Sequence, residues 1–474
     1  MITRASGIDG TSSYRTMAQT VTNTRHKPAP VSSPPYRFVA FLWFLYLFAP
    51  AKLIAFYIPA SRPITWLPEF LLWICAVQWL RSPVEKRGYP AYTRFFALMV
   101  IGTILAFFIG NWGLARETLR QMYQYYLLGL ITVTFCSTPQ RARPILRLYF
   151  GYFVWYGIWG LISLKVSPLS DDINPGARSI VYWHPNFDNR DAFGPLMVAG
   201  LAYSIYYFQA TQANRTRLGS MWVALNMVLG ILGFVTSFGR GAFVGFIAAA
   251  TAMWLKSRRK IAAVAVTAVV IVSFALLAPK LTARYWTSMQ TITGEGMDSG
   301  TGADRKGLWN VAWREFLWSP IIGVGTSNYG IATQRVVRVD EDVGHGYTQG
   351  RLWGRSVHST PLTILSEYGI IGVITAALLV IDFFITNRRT RLKGRLPSPE
   401  TADPDAFPPG YLEAIALGLN AAFVTFCVAG IFYEIIYTPL YWTVIVLNRM
   451  LYYASGADLA RKAIPRLPRG RPPA

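Results

Sequence analysis

Long apolar runs separated by short polar segments set the pattern of this chain. The runs fall at about 37–58, 64–80, 94–110, 119–136, 145–164, 193–210, 219–237, 241–255, 261–278, 361–384, 412–430 and 437–454. Each is near the ~20 apolar residues that a helix needs to cross a bilayer. The runs are continuous rather than alternating, which disfavours a β-barrel. The pattern predicts an all-α fold, a polytopic transmembrane helix bundle of about twelve spans.

The polar segments divide the chain further. Residues 1–36 are rich in Ser, Thr and Pro and read as a disordered cytoplasmic tail before the first span, not as a cleaved signal peptide. Residues 37–278 hold the first nine spans, 279–360 a large outer loop, 361–455 the last three spans, and 456–474 a basic cytoplasmic tail. Basic residues follow every second run. Arg81, Lys86, Arg87 and Arg94 come first, then Arg141, Arg143 and Arg147, then Arg215 and Arg217. Lys256 to Lys260, Arg388 to Arg395, and Arg461, Lys462 and Arg466 continue the series. By the positive-inside rule these loops and both termini belong in the cytoplasm. Residues 165–192 and 279–360 then lie outside. Within the second, Thr301-Gly-Ala-Asp304 fits a capping box. Helical spacing of Arg305, Trp309, Trp313 and Phe316 predicts an amphipathic surface helix over 304–318, ended by Ser319-Pro320.

Composition agrees with a membrane protein. Of 474 residues, 53% are hydrophobic and only 15% charged, against roughly 25% charged in soluble domains. The net charge of +23 is placed in loops and comes with no recognition module, so no nucleic-acid partner is expected. Cys75, Cys136 and Cys427 lie inside apolar runs and read as small buried hydrophobes. No ligand spacing points to a metal, and no cofactor or ATP motif is present. His345, near Asp340, Glu341 and Asp342, does not change that.

Three stretches carry the candidate chemistry. Arg240 stands between Gly239 and Gly241 at the meeting of two runs. It reads either as a snorkelling Arg at a tight turn or as a bidentate phosphate ligand. Arg305 opens the surface helix beside Trp309 and Trp313 and pairs either with headgroups or with a lipid-linked phosphate. His358, just before Pro361, is either a helix-capping residue or a group that takes a proton from a sugar hydroxyl. His184 and Arg190, in the polar stretch His184-Pro-Asn-Phe-Asp-Asn-Arg190, are possible acceptor-groove residues. Glu434, Glu367 and Lys52 lie near span ends and read as structural.

In order and spacing the stretches resemble the O-antigen ligase and O-antigen polymerase superfamily of bacterial envelope glycan enzymes. The resemblance rests on Ser237-Phe-Gly-Arg240-Gly-Ala, then Arg305-Lys-Gly-Leu-Trp309 running into Pro320-Ile-Ile-Gly-Val-Gly325. It continues through His358-Ser-Thr-Pro-Leu362 and Glu367-Tyr-Gly-Ile-Ile-Gly372. It covers about residues 220–380; an extra Phe-Gly after Ser237 and Thr360-Pro361 after His358 depart from the pattern. The resemblance implies metal-independent glycosyl transfer on the periplasmic face of the bacterial inner membrane. The donor would be a glycan on undecaprenyl diphosphate, and the acceptor lipid A–core or another lipid-linked glycan, as in a ligase or a polymerase respectively. It further implies that Arg240 and Arg305 hold the diphosphate and that His358 assists the acceptor hydroxyl. An envelope lipid or polysaccharide transporter is the rival reading; it would need charged residues at mid-span and broken helices. A non-catalytic scaffold would not need the His.

Overall fold

The computed structural model describes residues 34–109, 112–166, 190–237, 239–257, 260–261, 264–265, 267–269, 272, 301–343, 348–395 and 406–457. Every regular element among them is helical. The chain opens with α1 (Pro34–Phe48) and α2 (Pro50–Tyr57), where the sequence predicts one span. Ala49 breaks them: it precedes a proline, which disfavours a helical conformation, and it adopts φ 45° instead. A 3₁₀ turn, Pro59–Trp66, leads into α3 (Leu67–Arg81). Then come α4 (Pro90–Ile109), α5 (Trp112–Phe135), α6 (Pro139–Val166), α7 (Arg190–Ala210), α8 (Arg217–Thr236) and α9 (Arg240–Lys256). The outer segment contributes α10 (Thr301–Trp318), α11 (Tyr329–Val336) and the short α12 (Gln349–Leu352). The chain returns through α13 (Thr360–Arg395), α14 (Tyr411–Ala429) and α15 (Pro439–Ala454).

Helices occupy the expected spans except 261–278, most of which lies outside the described residues. Five helical stretches among the described residues are long and apolar enough to cross a membrane: Pro59–Arg81, Pro90–Ile109, Arg217–Val235, Thr360–Arg395 and Tyr411–Ala429. α14 lies at the centre of the bundle, with Ile415, Ala416, Leu419, Ala422 and Phe423 wholly buried, and packs on α7, α9, α13 and α15. α3 and α4 lie at the edge, where Phe70, Trp73, Leu80, Ile104 and Phe108 are exposed, an apolar surface suited to lipid.

Some polar groups inside the bundle are hydrogen-bonded across helices. Asn387 on α13 donates to the Ala416 carbonyl at 2.7 Å and to Asn448 Oδ1 at 3.0 Å, tying α13, α14 and α15 together. Trp43 donates to Thr132 Oγ1 at 2.8 Å between α1 and α5. With little apolar driving force between helices in lipid, such bonds and close packing hold them in register.

A separate, small core holds the outer segment. Leu308, Val311 and Ala312 of α10 pack with Tyr329, Val337, Leu352 and Val357. Arg314 pairs with Glu341 at 2.6 Å on its surface, and that ion pair holds the Glu341 carboxyl below its usual range.

Candidate functional site

The site is built where the outer segment docks on α13. Residues 320–325 run alongside 366–371. Val324 N–H donates to the Ser366 carbonyl and Gly325 N–H to the Glu367 carbonyl, both at 2.9 Å; Ile370 N–H donates back to the Pro320 carbonyl at 2.9 Å. Two glycines allow this. Gly323 has φ 70°, and a Cβ there would stand 2.2 Å from the Glu367 carbonyl carbon. Gly369 has φ 60°, interrupts α13, and a Cβ there would meet the Ile321 backbone at 2.5 Å. The glycine spacings of the two motifs are therefore the two halves of one backbone contact.

Glu367 locks that contact. It is 2% exposed. Its carboxylate accepts from Ser327 N–H at 2.8 Å, from Tyr329 N–H at 3.4 Å and from the Tyr437 hydroxyl. Glu315 on α10 is wholly buried nearby, and neither carboxyl oxygen has a hydrogen-bond partner among the described residues. Burial, with Glu367 adding to it, pushes the Glu315 carboxyl well above the usual carboxylate range.

His358 follows directly from this framework. Val357 is wholly buried in the small core and Ser359 is 3% exposed, whereas His358 between them is half-buried. Its backbone sits at φ 54°, a region a non-glycine residue visits only when its surroundings demand it. Thr360 then starts α13, with Pro361 in the first turn, where its missing N–H breaks no helical bond. The Thr360-Pro361 departure from the family pattern thus serves the helix start.

Thr360 also clamps the turn between α14 and α15. Its N–H donates to the Gly430 carbonyl at 2.7 Å, its hydroxyl donates to the Tyr433 carbonyl at 2.8 Å, and that hydroxyl accepts from Ile435 N–H at 2.8 Å. The turn carries Glu434, whose carboxyl lies near the Ser356 and Thr363 hydroxyls. Ser356 Oγ lies 3.5 Å from His358 Nδ1. Burial pushes the Glu434 carboxyl up, and the two hydroxyls pull against that. Glu434 and Glu367, expected to be structural, are both part of this site. An ionisable residue at a span end was the available signal; the same reasoning had singled out Arg240.

Arg240 is the first residue of α9, after Gly239 as N-cap. A Cβ on Gly241 would lie 3.6 Å from the Ala429 carbonyl and from Phe432 Cβ. The backbone at Arg240 therefore meets the same 429–435 turn that Thr360 clamps. Its side chain is outside what the structure describes. Arg305 is half-buried on α10. It stands one turn before Leu308 and two before Ala312, on the face that packs against Val357. Trp309 is half-buried against that core, while Trp313 is 48% exposed and touches Phe316. The two Trp residues thus divide between inner and outer faces instead of sharing one.

Arg190 opens α7 one turn before Gly194, where a Cβ would lie 2.5 Å from Ser237 Oγ. Its helix therefore adjoins the turn leading to Arg240; its side chain is outside the description. His184 and His345 also lie outside the described residues. Among the described residues no group of three or more His, Cys, Asp or Glu side chains is placed to hold a metal.

Residues 225–377 match the Wzy_C family model, O-antigen ligase. That stretch runs from within α8, through Arg240, Arg305 and His358, to α13 just beyond Gly372. The resemblance read from the sequence is borne out over it, and the O-antigen ligase match implies a glycan ligase or polymerase enzyme acting on lipid-linked glycans. No curated protein matches the chain.

Proposed function

We propose that the protein transfers a glycan from an undecaprenyl-diphosphate donor to a lipid A–core or glycan acceptor at the periplasmic face of the inner membrane. The observation that carries this is the convergence on one end of the bundle. The Arg240 backbone and the His358 segment meet on the 429–435 turn, and the Arg305 face of α10 packs against Val357.

The acceptor hydroxyl oxygen attacks the anomeric carbon of the donor as its bond to the diphosphate oxygen breaks. The electron pair leaves with undecaprenyl diphosphate, and the hydroxyl proton passes to the His358 imidazole. Arg240 and Arg305 stabilise the charge that develops on the leaving diphosphate, and their planar forks match its oxygens. Glu434, through Ser356, orients the His358 ring at Nδ1. The activated donor bond drives the reaction without ATP. A polymerase would use the same steps with a lipid-linked glycan as acceptor. In the twelve-span reading the site lies outside and both termini lie in the cytoplasm.

Purified protein with a lipid-linked oligosaccharide donor and a rough lipopolysaccharide acceptor tests this. His358→Ala should slow transfer by about 10²–10⁴-fold, the span of general-base contributions, with membrane protein level unchanged. Wild-type transfer by that variant would sink the catalytic role of His358.

A further inference from the structure

A group of cations lies far from His358, at the other end of the bundle. α13 starts just after His358 and runs 36 residues to Arg395. At 1.5 Å per residue, Arg391 stands about 45 Å along it from Thr360, more than the ~30 Å hydrocarbon core of a bilayer. With Thr360 at one boundary, Arg391 reaches the headgroup layer of the opposite leaflet, which the twelve-span reading makes the cytoplasmic one. Arg391 is half-buried there. Its charge acts on Lys256, the last residue of α9, and on Tyr206 of α7, which is 5% exposed. Lys256 donates from Nζ to Oδ1 of Asn420, a side chain 2% exposed on α14. Tyr206, Leu417 and Ala421 form a small apolar core with Ala202, against which Met253 of α9 packs. Leu417, Asn420 and Ala421 recur at helical spacing, so core and cations adjoin one face of α14.

Two observations call for an anion. First, like charges are held together. Arg391 acts on Lys256, and Arg388 and Arg395 act on Arg391. The carboxylate that acts on Arg391 is Glu413, and Arg395 binds it from Nε and Nη2, both at 2.6 Å. Second, Arg391 Nε is buried and has no hydrogen-bond partner among the described residues. A buried donor left unpaired is costly, and more so on a charged group. A guanidinium presents its N–H groups as a fork to two oxygens of one phosphate. Lys256 gives one of its three donors to Asn420, and two remain for the same anion. The surroundings indicate which phosphate. Leu255 and Leu392, next in the chain to the two cations, are 63% and 47% exposed, an apolar surface suited to acyl chains. A zwitterionic headgroup would bring a further cation into this cluster; an anionic one does not.

We propose that Lys256 and Arg391 bind the phosphate of an anionic glycerophospholipid in the leaflet opposite the His358 site. The site is separate from the one assigned to the donor diphosphate and does not depend on the glycan-transfer reading. α9 starts at Arg240 and α13 follows directly on His358. A headgroup bridging their far ends therefore ties together the two helices that carry these residues.

The test uses the full chain in neutral detergent and follows lipid binding by native mass spectrometry and by the thermal midpoint during titration. Phosphatidylglycerol should bind and raise the midpoint, and phosphatidylcholine with the same acyl chains should do so far more weakly. Lys256→Gln/Arg391→Gln should weaken phosphatidylglycerol binding by about tenfold or more, as removal of two basic contacts to an anionic lipid implies. Arg389→Gln/Lys393→Gln removes two exposed cations from the same end of α13. It should change the affinity by less than about threefold, because solvated charges contribute little. If the first variant does not accumulate, Lys256→Met/Arg391→Met, which replaces the buried charges by apolar side chains, carries the same expectation. His358→Ala should bind the lipid as the wild type does. Equal affinity for the two lipids, wild-type affinity after loss of Lys256 and Arg391, or an equal loss in Arg389→Gln/Lys393→Gln would overturn the site. Displacement of the lipid by inorganic phosphate would overturn the lipid as its ligand.

Discussion

The bundle and the outer segment hold their helices by different means. In the bundle, α7, α9, α13 and α14 share one large apolar core in which many side chains contribute alike. In the outer segment the apolar core is small, and position depends on a few backbone hydrogen bonds between 320–325 and 366–371. Four of the positive-φ glycines, Gly323, Gly325, Gly354 and Gly369, and two of the positive-φ non-glycine residues, Ser327 and His358, lie between residues 323 and 369. A core of many similar contacts tolerates exchange of one for another. A contact made by backbone atoms at fixed angles does not, and the catalytic candidates were found in that second kind of structure.

Substitutions can break this contrast. The largest effect is expected from Gly323→Ala, because a Cβ would overlap the Glu367 carbonyl carbon at 2.2 Å and φ is positive. The outer segment should undock, with most folded protein and transfer activity lost from membranes. Leu128→Met, a volume-conserving change at a wholly buried bundle position, should cost less than about 1.5 kcal/mol and leave activity intact. Equal losses from the two would abolish the distinction.

Next in size is Arg305→Lys, which keeps the charge but removes the fork. Transfer should fall about tenfold or more with normal protein level, as expected where bidentate recognition matters. Full activity would return Arg305 to a headgroup-pairing role.

Glu434→Gln should act less strongly, and in a pH-dependent way. The folded carboxyl titrates above its ordinary range because it is buried. As pH rises through that titration, the carboxylate becomes able to orient His358 through Ser356. The variant should therefore lose about three- to tenfold in rate on the alkaline side, and approach the wild type at low pH, where both side chains are neutral. A constant deficit across pH would make Glu434 a packing residue only.

The smallest effect is expected at Glu315, whose carboxyl has no hydrogen-bond partner among the described residues. Its carboxyl is pushed up on folding, so the folded state holds its proton more tightly than the unfolded chain does. Its contribution to stability therefore declines as pH rises above the unfolded value and is most unfavourable above the folded one. Glu315→Gln should raise the thermal midpoint at alkaline pH by about 2–4 °C, the scale of ~1 kcal/mol. The gain should vanish below about pH 4. Destabilisation at alkaline pH would show that the carboxylate has a partner.

Much of the fold was legible because helix formation and apolar runs are local properties. The basic spacing of the loops, the end of α10 at Ser319-Pro320, and the start of α13 before Pro361 all follow from neighbouring residues. The break at Ala49 was not anticipated, although the following proline was visible. At the site, His358 and the two arginines stand out because each lies in a motif whose order and spacing resemble the O-antigen ligase and polymerase superfamily. Glu434 is equally polar and also near a span end, and the sequence alone reads it as structural. The hydroxyls beside it, those of Ser356 and Thr363, are more than seventy residues away in the chain.

From the order of residues alone come the helical class, the apolar runs and the motif spacing that the O-antigen ligase match shares. These depend on interactions within a few turns, or on simple transfer of side chains out of water. That Ser356 and Glu434 come close to His358, and why the glycines recur, depend on contacts between distant segments. Those contacts exist only once α10, α13 and the 430–438 turn have packed together, because hydrogen bonds and steric fit act across ångströms of space, whatever the distance along the chain.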